Sequence, residues 1–339
     1  MSTSRTHTTM NRLHPSASRR AVLAALGAAA LCLAAPVFAQ GGYPAKPIKL
    51  LVGYAPGGSV DMAARVAADI LSAKLGATVV VENVTGAAGV LAAQRAVNSQ
   101  ADGYTLLVGS SNEMAATVLV NRAQRYDPLK DLAPIGLIAT APVLLVAGPK
   151  TGVKNLDEFI ALAKRNPGKY SYGSSGIGST LHFAGELIKQ RAGVFLTHIP
   201  YRGTASLTTD LVGGALDFAI VSPTAAAPFI QGGRIIPLGI SSASRFPGLP
   251  QVPALGENPQ LKGYELSGWF ALAGPKDLPA PIVESLRAAL QAGLADPAIR
   301  RRLEEGGSIP ATGKEDLARI MREDTAKYAS LVKFANMRE

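Results

Sequence analysis

The chain has 339 residues, with 34 Lys and Arg against 24 Asp and Glu, a formal net charge of +10 at pH 7 and 47% hydrophobic residues. The single cysteine, Cys32, excludes a disulfide-stapled fold, so the chain must be held by a hydrophobic core of its own. The basic residues are scattered without a recognition motif, so no nucleic-acid partner is expected, and the excess favours small anions and acidic surfaces.

Arg5, Arg12, Arg19 and Arg20 precede an apolar run from Ala21 to Ala35, and Val37-Phe38-Ala39 places small residues where a signal peptidase cuts. Residues 1–39 are therefore expected to be an export signal cleaved near Ala39, so the mature chain is expected to be exported. Ser18-Arg19-Arg20 approximates a twin-arginine pattern and leaves the Sec and Tat routes both open. The run is shorter than the roughly 18 to 20 apolar residues of a membrane span. Cys32 leaves with the signal, and losing its four arginines leaves 30 basic against 24 acidic residues, a net charge of +6.

In the mature chain strand and helix patterns alternate. Ile48 to Tyr54 reads as a buried strand, Asp61 to Leu75 as an amphipathic helix, Thr78 to Glu82 as a strand, Val90 to Val97 as a helix and Thr105 to Gly109 as a third strand. This alternation implies βαβ units and a parallel sheet. Pro134 to Gly148 is apolar and long enough to leave one sheet and enter another. A second α/β unit follows, with helices over Asn155 to Asn166, Thr180 to Ala192 and Ala205 to Val212 and a short one ending at Gln231. Its strands are Lys169 to Tyr172, Leu196 to Ile199, Phe218 to Val221 and Ile235 to Ile240. Ser244 to Gly263 reads as a return linker. A strand at Leu266 to Ala273 and helices near Ala280 to Leu294, Pro297 to Glu304 and Lys314 to Lys333 then complete the first unit. The expected architecture is two α/β domains, each a mostly parallel sheet flanked by helices: 43–143 plus 265–339, and 144–264. Two crossovers join them, with a cleft between.

A glycine-rich elbow occurs once in each unit, after a strand and before a helix. The first is Gly53-Tyr54-Ala55-Pro56-Gly57-Gly58-Ser59-Val60-Asp61 and the second Gly173-Ser174-Ser175-Gly176-Ile177-Gly178-Ser179. Glycines allow close backbone approach, and helix N-termini present unpaired N–H groups and positive potential, so two facing elbows would clamp a carboxylate. Ser59 and Asp61 also suit helix caps. Ser110-Ser111-Asn112-Glu113 ends the third strand where the cleft should lie. There Glu113 either favours a ligand with an amino group or is a solvated residue at a helix start.

Other chemistries fit less well. Gly176-Ile177-Gly178 lacks the third glycine of a dinucleotide loop, since Leu181 stands there. Gly313-Lys314 resembles a phosphate loop, but Ser308 takes the first glycine position and Glu315 follows the lysine. A hydrolase from Ser175, His182 and Asp210 or Asp217 lacks the G-x-S-x-G elbow. His182 and His198 are the only histidines after residue 39, so a zinc site would rest on carboxylates. No enzyme activity, metal or cofactor is expected. His198-Ile199-Pro200-Tyr201-Arg202-Gly203 ends a strand at the edge where α/β sheets bind ligands, with Arg202 either an anion partner or a surface arginine. Tyr264 and Trp269 read as core or hinge packing.

Taken together, these motifs resemble the Bug-type extracytoplasmic solute receptors of tripartite tricarboxylate transporters. Tyr126-Asp127-Pro128, Asp210-Leu211-Val212-Gly213-Gly214, Asp217 and Leu249-Pro250-Gln251-Val252-Pro253 extend the similarity from about Tyr43 to Lys333. The resemblance implies a monomeric two-domain flytrap of the periplasmic binding-protein type that captures a small carboxylated solute and hands it to a membrane permease. A sensor feeding a signalling partner is the alternative. The implied ligand residues are Tyr54, Ala55, Gly57, Gly58, Ser59 and Asp61 in the first elbow and Ser174, Ser175, Gly176, Gly178 and Ser179 in the second. Ser111 adds to these from the cleft, and Tyr201 and Arg202 lie nearby. The chain departs from the family at Val84, Thr85 and Ala88, in Asn83-Val84-Thr85-Gly86-Ala87-Ala88-Gly89, beside the expected clamp. The identity of the acid therefore stays open.

Overall fold

The computed structural model describes residues 42–201 and 204–337, so the expected export signal, Cys32 and Arg202 lie outside the described residues. Strand β1 (Ile48–Val52) is an aliphatic run that enters the first elbow, from which α1 (Ser59–Leu75) emerges. β2 (Val79–Asn83), α2 (Val90–Val97) and β3 (Thr105–Ser110) follow. The long β4 (Leu132–Ala141) passes through Pro142-Val143 into β5 (Leu144–Ala147), so the apolar stretch between Pro134 and Gly148 does leave one sheet for another.

In the second sheet α3 (Leu156–Arg165) is capped by Asn155, whose side chain accepts the Glu158 N–H. β6 (Ser171–Ser174), α4 (Thr180–Ala192), β7 (Thr197–Pro200), α5 (Thr204–Gly213), β8 (Phe218–Val221), α6 (Pro223–Gln231) and β9 (Ile236–Ile240) complete it. The return segment carries only two single 3₁₀ turns before β10 (Gly268–Pro275). The chain ends through α7 (Ala280–Leu294), α8 (Pro297–Glu305), the short β11 (Ile309–Pro310) and α9 (Leu317–Ala335).

The sheet orders are β11-β4-β10-β3-β1-β2 and β7-β6-β8-β5-β9. Both are mixed, where mostly parallel sheets were expected. β1 pairs parallel with β2 and β3, but β10 lies antiparallel between β3 and β4, and β5 runs antiparallel to β8 and β9. The strands that carry the chain between sheets enter against the βαβ direction and reverse the pairing. β10 is buried along its whole length, as a central strand must be. Helix α1 packs on α7 through Gly293, where a Cβ would meet Ile70 Cγ2 at 2.3 Å.

Candidate functional site

The first elbow is held from below by a carboxylate. Asp61, 1% exposed, accepts the Gly57 N–H at 2.9 Å, the Asn83 amide at 2.9 Å and both arms of Arg65 at 2.8 and 3.1 Å. Burial works to raise its pKa, but the Arg65, Gly57 and Asn83 hydrogen bonds outweigh it and hold the carboxyl below the usual range. Asp61 thus fastens the turn. Gly58 is the N-cap of α1 and Ser59 its first helical residue, so the cap expected of Ser59 is absent, while Asp61 reaches back to Gly57 instead. Ala55, Gly57, Gly58 and Ser59 are exposed on the rim.

The second elbow is held by neutral groups. The His182 Nδ1 accepts the Gly178 N–H at 3.2 Å, and the Ser174 hydroxyl lies 2.7 Å from His198 Nε2. The two imidazoles stack at 3.8 Å. Burial lowers their pKa values to about 3 for His182 and about 4 for His198, with the Lys189 charge adding to the shift. Ser179 caps α4 by accepting the His182 N–H and donates to the Gly176 carbonyl at 2.8 Å. Gly178, at φ 74°, presses on Val120, whose Cγ2 lies 2.7 Å from where a Cβ would sit.

Between the elbows is a cavity of about 180 Å³. Hydroxyls line it from the first sheet (Tyr54, Ser59, Ser110, Ser111) and from the second (Ser175, Ser179, Thr180, Ser222), while Pro142, Val143, Trp269 and Phe270 from the two crossovers form an apolar wall. No charged side chain is in the lining. Such a site satisfies an anion with O–H and N–H dipoles and helix ends rather than with a counter-ion.

Of the residues expected from sequence, the structure places Tyr54, Ser59, Ser111, Ser175 and Ser179 in this lining. Asp61 and Ser174 (0% exposed) are turned into the scaffold. Tyr201 gives its hydroxyl to Asp210 at 2.8 Å and its N–H to the Ser174 carbonyl. Burial and the Asp210 charge push that hydroxyl's pKa to about 12. Glu113 fits neither expectation: it is 0% exposed and outside the lining, neither solvated nor facing the cavity. Its carboxylate accepts the Ser110 N–H, the Ser110 hydroxyl and the Tyr54 hydroxyl at 2.7, 2.6 and 2.8 Å, and burial raises its pKa. Val84, Thr85 and Ala88 also stay out of the lining, although the Ala88 carbonyl lies 3.0 Å from the Tyr54 hydroxyl oxygen.

The residues weighed for a hydrolase are not brought together. His182 serves Gly178, Asp210 serves Tyr201 and Asp217 accepts from Ser171. Asn112 lines the site as well, while Thr180 and Trp269 were not expected there. Asn112 stood within the expected cleft segment, and Thr180 at a helix start beside the second elbow, which was signal enough.

A model of the tripartite tricarboxylate transporter family receptor matches residues 63–337. The chain belongs to this family. The receptor is 34% identical over 306 residues to BugT of Bordetella pertussis, covering 89% of this chain and 92% of BugT. It is similar in structure to a protein of R. palustris with adipate, with a TM-score of 0.76 and 32% identity over 88% of this chain and 100% of that one. MatC from Rhodopseudomonas palustris with bound malate gives a TM-score of 0.70 and 29% identity, covering 86% of this receptor and all of MatC. The two sheets are therefore the lobes of a two-lobed α/β flytrap, and the family is one of solute-binding receptors rather than enzymes.

Proposed function

We propose that this receptor is exported to the periplasm, loses residues 1–39, and captures one small carboxylate-bearing organic acid or amino acid between domains 43–143 plus 265–339 and 144–264. It then delivers the solute to a membrane permease of the tripartite tricarboxylate type and works as a monomer. The supporting observation is the neutral cavity between the elbows: a carboxylate taken there loses its hydration and must be repaid in hydrogen bonds. The donors are the hydroxyls of Ser59 and Ser175 and the first-turn N–H groups of α1, with the Tyr54 ring closing one side, while the Gly57 and Gly176 N–H groups and the Ser179 hydroxyl brace the turns themselves. The apolar wall of Trp269 and Phe270 suits a short hydrocarbon body, and the adipate and malate of the neighbouring structures make dicarboxylic acids of four to six carbons the first candidates.

Native mass spectrometry of the mature protein as purified tests this reading, with a thermal melt after the bound ligand has been removed by unfolding and refolding. The expected result is one retained small acid, whose return at 100 times its dissociation constant adds about 2.7 kcal/mol of stability. A broad panel of organic and amino acids that leaves the melting temperature of ligand-free protein unchanged would overturn it.

A further inference from the structure

A row of hydrogen bonds runs from the buried Glu113 across the cleft to the start of α4. Glu113 Oε2 accepts the Tyr54 hydroxyl at 2.8 Å. The Tyr54 oxygen in turn lies 3.3 Å from Asn112 Nδ2, which donates to it. Asn112 Oδ1 faces the other sheet, where it accepts both the Thr180 N–H at 3.3 Å and the Thr180 hydroxyl at 3.2 Å. The Ser111 hydroxyl lies 3.1 Å from the Thr180 hydroxyl. Thr180 is the first helical residue of α4, so its N–H has no partner within the helix. A residue of the first lobe therefore caps a helix of the second.

The direction of this row follows from chemistry. A carboxylate only accepts, so both the Tyr54 and Ser110 hydroxyls point at Glu113, and the Tyr54 oxygen is left to receive the Asn112 amide. At the far end the Thr180 N–H is a fixed donor, which requires the Asn112 oxygen rather than its nitrogen opposite it. Both ends orient Asn112 the same way, and hydrogen bonds aligned head to tail polarise one another. The Tyr328 hydroxyl is buried beside Ser111 and Thr180 at this junction.

We propose that Asn112 and Thr180 are positioning residues that latch the two lobes together over the solute, and that Glu113 sets the polarity of the latch through Tyr54. This inference rests on the solute-receptor reading, and it links the first elbow to closure because Tyr54 belongs to both.

The test reads closure without any ligand. The mature chain holds no cysteine, so Lys74→Cys on the first lobe and Lys164→Cys on the second take spin labels at exposed sites, and pulsed electron paramagnetic resonance reports the interlobe distance. The latch predicts that Asn112→Ala and Thr180→Val each at least halve the short-distance population. Thr180→Ser, which keeps the hydroxyl and the N–H, restores it, and Glu113→Gln gives an intermediate value. Distributions unchanged in both Asn112→Ala and Thr180→Val would overturn the proposal. So would loss of the short population in Thr180→Ser as well, since that points to methyl packing. The solute-receptor reading survives either result, because its own test is retention of an acid.

Discussion

The two elbows share a backbone shape but stand on opposite chemistry. The first is tied down by carboxylates, Asp61 beneath Gly57 and Glu113 beneath Tyr54, while the second rests on two stacked, uncharged imidazoles and a serine. Each brace is a buried side chain that takes a glycine N–H of its own turn, Asp61 that of Gly57 and His182 that of Gly178, and either charge type serves. The consequence is a difference in acid sensitivity between the two halves of one site.

The largest expected effect is at Asp61. Asp61→Ala strands the Gly57 N–H, the Asn83 amide and Arg65, and is expected to cost about 3 kcal/mol in urea unfolding. A loss below about 1 kcal/mol would show that the first elbow braces itself after all.

Acid should act on the second elbow instead. His182 has its folded pKa lowered to about 3, so between pH 6.5 and 3 the unfolded chain binds the proton that the folded chain refuses. Its contribution to stability is therefore present above about pH 6.5 and is lost as pH falls towards 3, by about 3 kcal/mol at pH 4. Protonation also removes the acceptor of the Gly178 N–H. His182→Gln should flatten this part of the stability-against-pH curve, and a variant as acid-sensitive as the wild type would break the comparison.

Alanine at the two elbow glycines should sharpen it. Gly178→Ala combines positive φ with a 2.7 Å contact to Val120 and is expected to cost about 2 to 3 kcal/mol. Gly57→Ala, at φ 83° with open space around its Cβ, should cost only about 1 kcal/mol. Equal losses would mean that the second elbow does not lean on the first lobe as the structure has it. The smallest effect is at Ala88, an alanine held at φ 52°, where Ala88→Gly should stabilise the protein by at most about 1 kcal/mol in thermal unfolding.

The glycine, serine and asparagine punctuation made Val90–Val97 and Thr180–Ala192 legible to the residue, and Asn155 as a cap. Strand direction was not legible. β10 is as apolar as a parallel strand, and only its position between β3 and β4 shows that it runs the other way.

The elbows stood out because glycines cluster there for a local reason. The buried carboxylates were harder to place, since an Asp or Glu beside a cleft looks the same whether it faces ligand or scaffold. For Asp61 the signal was Arg65 one turn on, an i,i+4 pair. For Glu113 the local partner, Ser110, gave no sign of burial, its other partner Tyr54 lies 59 residues away, and Thr180 lies 68 residues from Asn112.

The central claim, one carboxylate held by both elbows, is tested most directly by calorimetric titration of ligand-free mature protein. The titrants are four- to six-carbon acids, adipate and malate among them, with Trp269 fluorescence followed in parallel and the titration repeated on Ser59→Ala and Ser175→Ala. The account predicts one site per chain, a change in Trp269 emission, and at least a tenfold loss of affinity in each variant. Binding that is unaffected by either serine, or by one of the two, would contradict it.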